Sequence, residues 1–145
     1  MENLISTNKK NKLKLDFKDS KYATGRRKRS IAKVWVKKGS GNIHVNGLKM
    51  NEYFKRPVHQ IIVTRPLEIS EVSTSYDVKC SVKGGGLSGQ AGAIILGISK
   101  ALILHDGNLK KNLKKDKLTT RDSRVVERKK YGHRKARRSF QFSKR

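Results

Sequence analysis

The 145-residue sequence has little cysteine, few acidic residues and no long hydrophobic run. Its single cysteine excludes an intramolecular disulfide framework and a thiolate zinc cluster, which favours a reducing compartment. No apolar run approaches the roughly 20 residues of a membrane span, so we expect no membrane partner. Hydrophobic residues make up only 34% of the chain, enough for a small core but not for one that spans every residue.

Positively charged residues dominate the composition of the chain. The chain carries 36 Lys and Arg against 11 Asp and Glu, a net charge of +25. A charge of roughly 2–8 keeps a small domain soluble, so this excess indicates a polyanionic partner, most simply nucleic acid. The net charge is +12 over residues 1–57, zero over 58–106, +4 over 107–127 and +9 over 128–145. We interpret the neutral middle as the core and the flanks as basic surfaces.

This distribution divides the chain into three parts. We predict a disordered or loosely attached extension over residues 1–21, a globular RNA-binding domain over residues 22–127, and an extended basic tail over residues 128–145. Residues 1–20 lack the apolar run of a secretory signal and the arginines of a transit peptide. The tail carries nine cations and no acid, and their mutual repulsion prevents it from folding alone.

Residue patterns predict one sheet with helices on one face. Apolar, β-branched and alternating residues predict a strand at 31–36, a return strand at 43–45 and a half-buried strand at 76–82. Asn46-Gly47 suits a tight turn with positive φ. The nearly all-apolar stretch 91–104 predicts a buried helix, whose Gly and Ala permit close approach to the sheet. The fold class is therefore an α/β, or α+β, two-layer sandwich with a mixed sheet.

Three shorter elements complete this prediction. Pro57 suits the first turn of a short helix that Pro66 ends. A Lys-rich helix is expected near residues 108–115. Val125-Val126 is predicted as a brief final strand.

Four glycines lie within six residues at the start of the apolar helix, in the segment Gly84-Gly85-Gly86-Leu87-Ser88-Gly89-Gln90. The spacing satisfies the G-x-G-x-x-G dinucleotide fingerprint, but the chain lacks the βαβαβ unit of a Rossmann half. Backbone amides at a helix N-terminus suit a phosphate. Three interpretations stay open: an RNA phosphate site, a small-nucleotide site, and a turn needed only for close packing.

Arginine is concentrated in two places, although lysine is the default cation. Ten of the 12 arginines lie within residues 26–29 or 121–145. The planar guanidinium matches phosphate geometry, so we expect both clusters to contact RNA. The tail also holds Tyr131, Phe140 and Phe142, expected to stack on bases or to anchor on a protein surface. The alternatives are a solvated surface at 26–29 and a localisation or solubilising tail.

No catalytic constellation is evident, so we predict no enzyme activity, no metal and no cofactor. The four histidines lack metal-ligand spacing, and each is interpreted as a surface or turn residue. Cys80 alternates within a predicted strand and is interpreted as a small buried hydrophobe.

Three separated motifs resemble the small-subunit ribosomal protein S-nine family, in its bacterial or organellar form. They are YATGRRKRSIAKVWV (22–36), GGGLSGQAGAIILGISKAL (84–102) and RDSRVVERKKYGHRKARRSFQFSKR (121–145). The resemblance covers residues 22–145 in order. Two positions depart from it: Ser123 stands where the family often has Pro, and Lys33 where Arg is frequent.

The resemblance implies a non-enzymatic structural protein of the small-subunit head. It implies a fold similar to the second domain of ribosomal protein S-five, with a left-handed βαβ crossover. The implied partners are small-subunit ribosomal RNA, neighbouring head proteins and the peptidyl-site tRNA. The tip Ser143-Lys144-Arg145 would approach the anticodon stem-loop of that tRNA. The ribosome would be that of a mitochondrial matrix or of a bacterial cytoplasm.

The residues expected to bind ribosomal RNA are basic residues and members of the glycine loop: Arg26, Arg27, Lys28, Arg29, Gly84, Gly85, Gly86, Ser88, Gln90, Arg121, Arg124, Arg128, Lys129, Lys130, Arg134, Lys135, Arg137 and Arg138. Two other function classes are kept as alternatives. One is a nucleotide-dependent transferase that uses residues 84–89, and the other is a histone-like protein that condenses free nucleic acid.

Overall fold

The computed structural model describes residues 17–144, so residues 1–16 of the predicted extension lie outside the described residues. Within the described range the elements are β1 (Lys21–Arg27), β2 (Ser30–Lys38), β3 (Ile43–Val45), β4 (Leu48–Lys49), α1 (Met50–Tyr53), α2 (Pro57–Ile69), β5 (Tyr76–Lys83), α3 (Leu87–His105) and α4 (Leu109–Lys115).

The strands form a five-stranded mixed sheet in the order β1-β2-β5-β3-β4. β1 with β2, β2 with β5, and β3 with β4 are antiparallel, whereas β3 and β5 are parallel. The mixed α and β architecture agrees with the predicted fold class. Asn46 and Gly47 both have positive φ, as predicted, and form the turn between β3 and β4.

The return strand predicted at residues 43–45 exists, but its expected pairing with β2 is wrong. β5 lies between them. Asp77 of β5 explains the arrangement, because its Oδ1 accepts hydrogen bonds from the backbone N–H groups of Ser40 (3.0 Å) and Asn42 (2.8 Å). The loop after β2 is thereby fastened to β5, and the chain passes on to the far side of that strand.

One face of the sheet is buried and the other is not covered by any helix of the described chain. Along β2, Ala32, Val34 and Val36 are buried while the residues between them are exposed or half-buried. β5 alternates in the same way. α3 lies across β1, β2 and β5 on the buried side, and α2 packs against α3. α3 is apolar and long enough to cross a membrane, but 61% of its most hydrophobic window is buried in this core.

Small residues allow α3 to lie very close to the sheet, as predicted. A Cβ on Gly25 would overlap the carbonyl oxygen of Ala93, and one on Gly97 would lie 2.5 Å from Cγ2 of Val34. α4 also agrees with the predicted Lys-rich helix.

The predicted end of the helix that begins at Pro57 is wrong. α2 begins at Pro57 as predicted, but it continues through Pro66 to Ile69. An interior proline removes one hydrogen bond and costs about 3 kcal/mol in a helix. Pro66 and Leu67 are nevertheless buried, and this burial offsets the loss.

The strand predicted at Val125-Val126 is also wrong. Both residues lie outside every strand, with 53% and 77% of their surfaces exposed. Two valines that bury so little surface do not offset the entropy of ordering a strand.

The interpretation of all four histidines as surface or turn residues is wrong for two of them. His44 lies in β3 and His59 in α2, and both are buried. The ring of His59 packs against Phe54 with its centroid 5.8 Å away. Cys80 is buried as predicted, and burial raises the pKa of its thiol.

Candidate nucleic-acid interface

The first basic cluster forms the tip of the β1–β2 hairpin. Arg27 pairs with Ser30, so Lys28 and Arg29 make a two-residue turn. Lys28 has a φ of 51°, a left-handed conformation that non-glycine residues adopt rarely. Arg26, Lys28 and Arg29 are exposed and Arg27 is half-buried. The turn therefore directs several cations outward from one end of the sheet.

The glycine loop lies directly against this hairpin. Ser30 is buried, and its hydroxyl donates a hydrogen bond to the Gly84 carbonyl at 3.0 Å. Gly84 and Gly85 have φ values of 74° and 63°. A Cβ on Gly84 would lie 2.5 Å from the Arg29 carbonyl oxygen, and one on Gly85 would overlap the Ser30 hydroxyl. Two motifs more than 50 residues apart in sequence therefore form one surface.

The N-terminus of α3 completes this surface. Gly86 is the N-cap residue, and no side chain caps the helix. The first amides of a helix have no intrahelical partner and lie at the positive end of its dipole, which favours an anion. Ser88 is exposed in this first turn.

Gln90 has partners within the protein. Its Oε1 accepts a hydrogen bond from the Tyr53 hydroxyl at 2.7 Å, and its Nε2 donates to the Gly84 carbonyl at 3.2 Å. Gln90 therefore holds the glycine loop against α1. A direct contact of Gln90 with RNA stays a prediction.

A basic cleft of about 280 Å³ opens beside the hairpin. Its lining includes four cations, Arg26, Arg27, Arg65 and Lys117, and one acid, Asp122. Its apolar lining comes from Ile62 of α2, Ile95 and Leu96 of α3, and Leu118 after α4. The aliphatic part of Arg27 crosses α3 at Gly92, because a Cβ there would overlap Cδ of Arg27. This combination of charge and apolar surface suits a phosphate with its attached sugar or base.

Sequence reasoning missed two of the cleft cations, Arg65 and Lys117. A signal existed for Arg65, since it is one of only two arginines outside the two clusters. Lys117 gave no such signal, because it lies in a segment where every second or third residue is Lys.

Asp122 fastens the chain after α4 to the hairpin. Its Oδ2 lies 3.5 Å from Arg27 Nη2 and 2.8 Å from Arg124 Nη2. The hydrogen bond from the Arg124 side chain is the main cause that lowers the pKa of Asp122, and the charge of Arg27 adds to it. Arg27 and Arg124, both predicted to bind RNA, therefore share one carboxylate, while Arg121 is exposed beside them.

Residues 128–144 contain no helix and no named strand, and most of their side chains are exposed. A bend absent from the prediction joins His133 and Ser139 in an isolated β-bridge. The Arg134 N–H donates to the Arg138 carbonyl at 2.7 Å. The Arg134 guanidinium lies 5.4 Å from the centre of the Phe140 ring.

The aromatic residues of the tail are open to a partner. Tyr131 and Phe142 expose 94% and 87% of their surfaces, and Phe140 exposes 59%. Ser143 and Lys144 are exposed, whereas Arg145 of the predicted tip lies outside the described residues. Glu127 pairs with Arg137 at 2.9 Å and with Lys130 at 3.6 Å. Arg128, Lys129, Lys135 and Arg138 are also exposed.

Within residues 17–144 no three His, Cys, Asp or Glu side chains form a group that could hold a metal ion. The cations, by contrast, gather at the hairpin, the cleft and the tail. Compared with known families, residues 25–145 match the family model described as ribosomal protein S9/S16. The matched range begins in β1 and includes the hairpin turn, the glycine loop and the whole tail.

Proposed function

Since the chain belongs to the ribosomal protein S9/S16 family, we propose that it binds small-subunit ribosomal RNA through the hairpin, the glycine loop and the basic cleft. The family is structural, not enzymatic, and the chain is a structural protein of the small ribosomal subunit.

The observation that carries the proposal is the contact between the hairpin tip and the glycine loop. The Ser30–Gly84 hydrogen bond brings exposed guanidinium groups next to the uncapped amides of α3. Both kinds of group bind phosphate oxygens. We infer that this end of the domain holds the phosphate backbone of folded RNA and that the cleft receives one nucleotide of it.

The tail has a separate role in this proposal. Its nine cations in residues 128–145 neutralise phosphates along an RNA path, while Phe140 and Phe142 anchor it. The tip of Ser143, Lys144 and Arg145 contacts the backbone of the peptidyl-site tRNA, near its anticodon stem-loop. Hydroxyl and cationic donors suit a contact that serves every codon, because phosphates are the same in all tRNAs.

Finer features of the resemblance belong to the same proposal. They are a position in the subunit head beside neighbouring head proteins, a domain similar to the second domain of ribosomal protein S-five with a left-handed crossover, and a ribosome of mitochondrial or bacterial type. The proposed domain limits are 1–21, 22–127 and 128–145.

The test is filter binding of the full chain to a transcript of the small-subunit ribosomal RNA over a range of salt. The double variant Arg65→Gln/Lys117→Gln removes two cleft cations. Lys110→Gln/Lys111→Gln removes two exposed cations of α4 and changes the net charge equally. We expect the cleft variant alone to reduce the magnitude of the salt slope, by about 1 for each lost phosphate contact. Equal slopes for the two variants would contradict a specific role for the cleft.

A second measurement separates the proposal from condensation of free nucleic acid. Tagged protein should sediment with small subunits at elevated salt, where purely electrostatic binding to any duplex is lost. Release from the subunits at the same salt as from random duplex would favour the histone-like alternative.

A further inference from the structure

The face of the sheet opposite α3 is a second candidate surface. Cross-strand pairing places three rows of side chains on it: Tyr22, Trp35 and Lys79; Thr24, Lys33 and Ser81; and Arg26, Ile31 and Lys83. Directly opposed residues of neighbouring strands have their Cβ atoms about 4.5–5.5 Å apart, so each row is a continuous strip. Arg26 also lines the cleft and marks the border between the two surfaces.

Aromatic rings occupy the first row. The Tyr22 and Trp35 ring centroids are 5.3 Å apart at an interplanar angle of 44°. The Tyr22 hydroxyl lies 3.0 Å from Oγ1 of Thr24, which orients the phenol. Phe17 adds a third ring, 5.7 Å from Nζ of Lys79. Tyr22 exposes 45% of its surface although it is a large aromatic residue.

The remaining rows are basic. Lys33 and Lys83 are exposed, and the only acid in the five described strands is Asp77 of β5, on the same face. That carboxylate is already engaged by the amides of Ser40 and Asn42. Lysine is depleted in protein–protein interfaces, whereas rings interleaved with cations are typical of surfaces that bind single-stranded nucleic acid.

We propose that this face binds an unpaired stretch of about two or three RNA nucleotides, with bases stacked on Tyr22 and Trp35 and phosphates beside Lys33 and Lys83. Unpaired bases are required, because the bases of a duplex are stacked on one another and present no free face to a ring. The inference rests on the proposed function in one respect: the partner is RNA. The sheet face is a second RNA surface, and its rings contact the faces of the bases.

Trp35 is the single tryptophan, so its fluorescence reports on this face in the full chain. We propose titration with a 12-nucleotide oligouridine, with an abasic oligonucleotide of the same length, and with inorganic polyphosphate. Oligouridine should quench the fluorescence in a saturable manner, while the other two polyanions should bind without comparable quenching. Equal quenching by all three would overturn stacking, as would an absence of quenching by oligouridine.

Variants of Tyr22 separate stacking from charge. Tyr22→Ala should weaken quench-detected binding about fivefold or more, because base–aromatic stacking is a substantial contribution per base. Tyr22→Phe keeps the ring and should bind like the wild type. Tyr131→Ala removes a more exposed ring from the tail and is the control for loss of a tyrosine elsewhere in the chain. Circular dichroism should confirm that each variant is folded.

The two proposals fail in distinguishable ways. If Tyr22→Ala binds oligouridine as the wild type does while Arg65→Gln/Lys117→Gln loses affinity for the ribosomal RNA transcript, the stacking face is refuted and the proposed function stands. If oligouridine stacks but the cleft variant is unaffected, the sheet face is supported and the cleft is refuted as the RNA surface.

Discussion

Replacing single glycines of the loop by alanine separates packing from RNA binding. Gly85 has a φ of 63°, and a Cβ there would overlap the buried hydroxyl of Ser30. Gly86 is the next residue, but its φ is −103° and a Cβ there would meet nothing within 4 Å. The two substitutions add the same methyl group to neighbouring positions, so each is the control for the other.

The cost of Gly85→Ala follows from two effects. A left-handed conformation costs an L-residue roughly 1–2 kcal/mol. Displacing the Ser30 hydroxyl breaks its 3.0 Å hydrogen bond to Gly84, and a buried group left without a partner costs about 1–3 kcal/mol. We therefore expect Gly85→Ala to lower the free energy of unfolding by roughly 2–5 kcal/mol.

Gly86→Ala should leave the free energy of unfolding almost unchanged. Alanine restricts the unfolded chain, which stabilises by about 0.4–1 kcal/mol, but it is a poorer N-cap residue than glycine by a similar amount. Urea unfolding of the full chain, followed by Trp35 fluorescence and circular dichroism, measures both variants.

The RNA affinity of Gly86→Ala tests whether Gly86 leaves room for a phosphate. If a phosphate approaches the amides of α3, the new methyl group of Gly86→Ala occupies its path. The affinity for RNA should then fall about fivefold or more, because a hydrogen bond to a charged group contributes about 1.5–3 kcal/mol. The free energy of unfolding should not change. Unchanged affinity would refute this reasoning. The loop would then be a turn needed only for packing, an interpretation that the sequence left open.

Three further predictions concern other parts of the molecule. The pKa of Asp122 is lowered in the folded protein, so the stabilising effect of this carboxylate is complete above its unfolded pKa near 4 and is lost as the pH falls below that value. The difference in unfolding free energy between wild type and Asp122→Asn should therefore be constant from about pH 5 to 7 and shrink in acid. Deleting residues 128–145 should flatten the dependence of log affinity on log salt by roughly 0.7–0.9 per lost phosphate contact, and an unchanged slope would assign the electrostatics to the domain. Cys80 should resist a thiol reagent at pH 8 in the folded protein and react in urea, because burial raises its pKa; rapid reaction of the folded chain would contradict its place in the core.

Local patterns predicted the elements whose core-facing side chains are large. β5 alternates four buried residues with four others, and this period is visible in the sequence. β1 was not predicted as a strand for the opposite reason. Its core-facing residues are Ala23 and Gly25, which are small because α3 lies so close to them. The hydrophobic period on which strand prediction depends is therefore absent from β1.

The pairing between distant segments could not be predicted from the sequence. β3 pairs with β5, and Val45 and Cys80 are 35 positions apart. The loop before β3 is held by Asp77, one carboxylate in a stretch that contains nothing else unusual. The cleft has the same origin, because Arg27 of β1, Arg65 of α2 and Lys117 after α4 meet only in the folded chain.

Ser30 explains why the glycine motif was recognisable from sequence but its function was not. A Cβ on Gly85 or Gly89 would lie too close to the Ser30 hydroxyl, and one on Gly84 would press on the Arg29 carbonyl. Three of the four glycines are therefore required by the hairpin, whatever the protein binds. Gly86 alone among the four has free space around it. Packing within the described chain does not account for a glycine at this position. Two physical reasons are left: glycine is a better N-cap residue than alanine, and a phosphate can approach the helix N-terminus where no side chain blocks it. The unfolding and RNA-binding measurements on Gly86→Ala separate these two reasons.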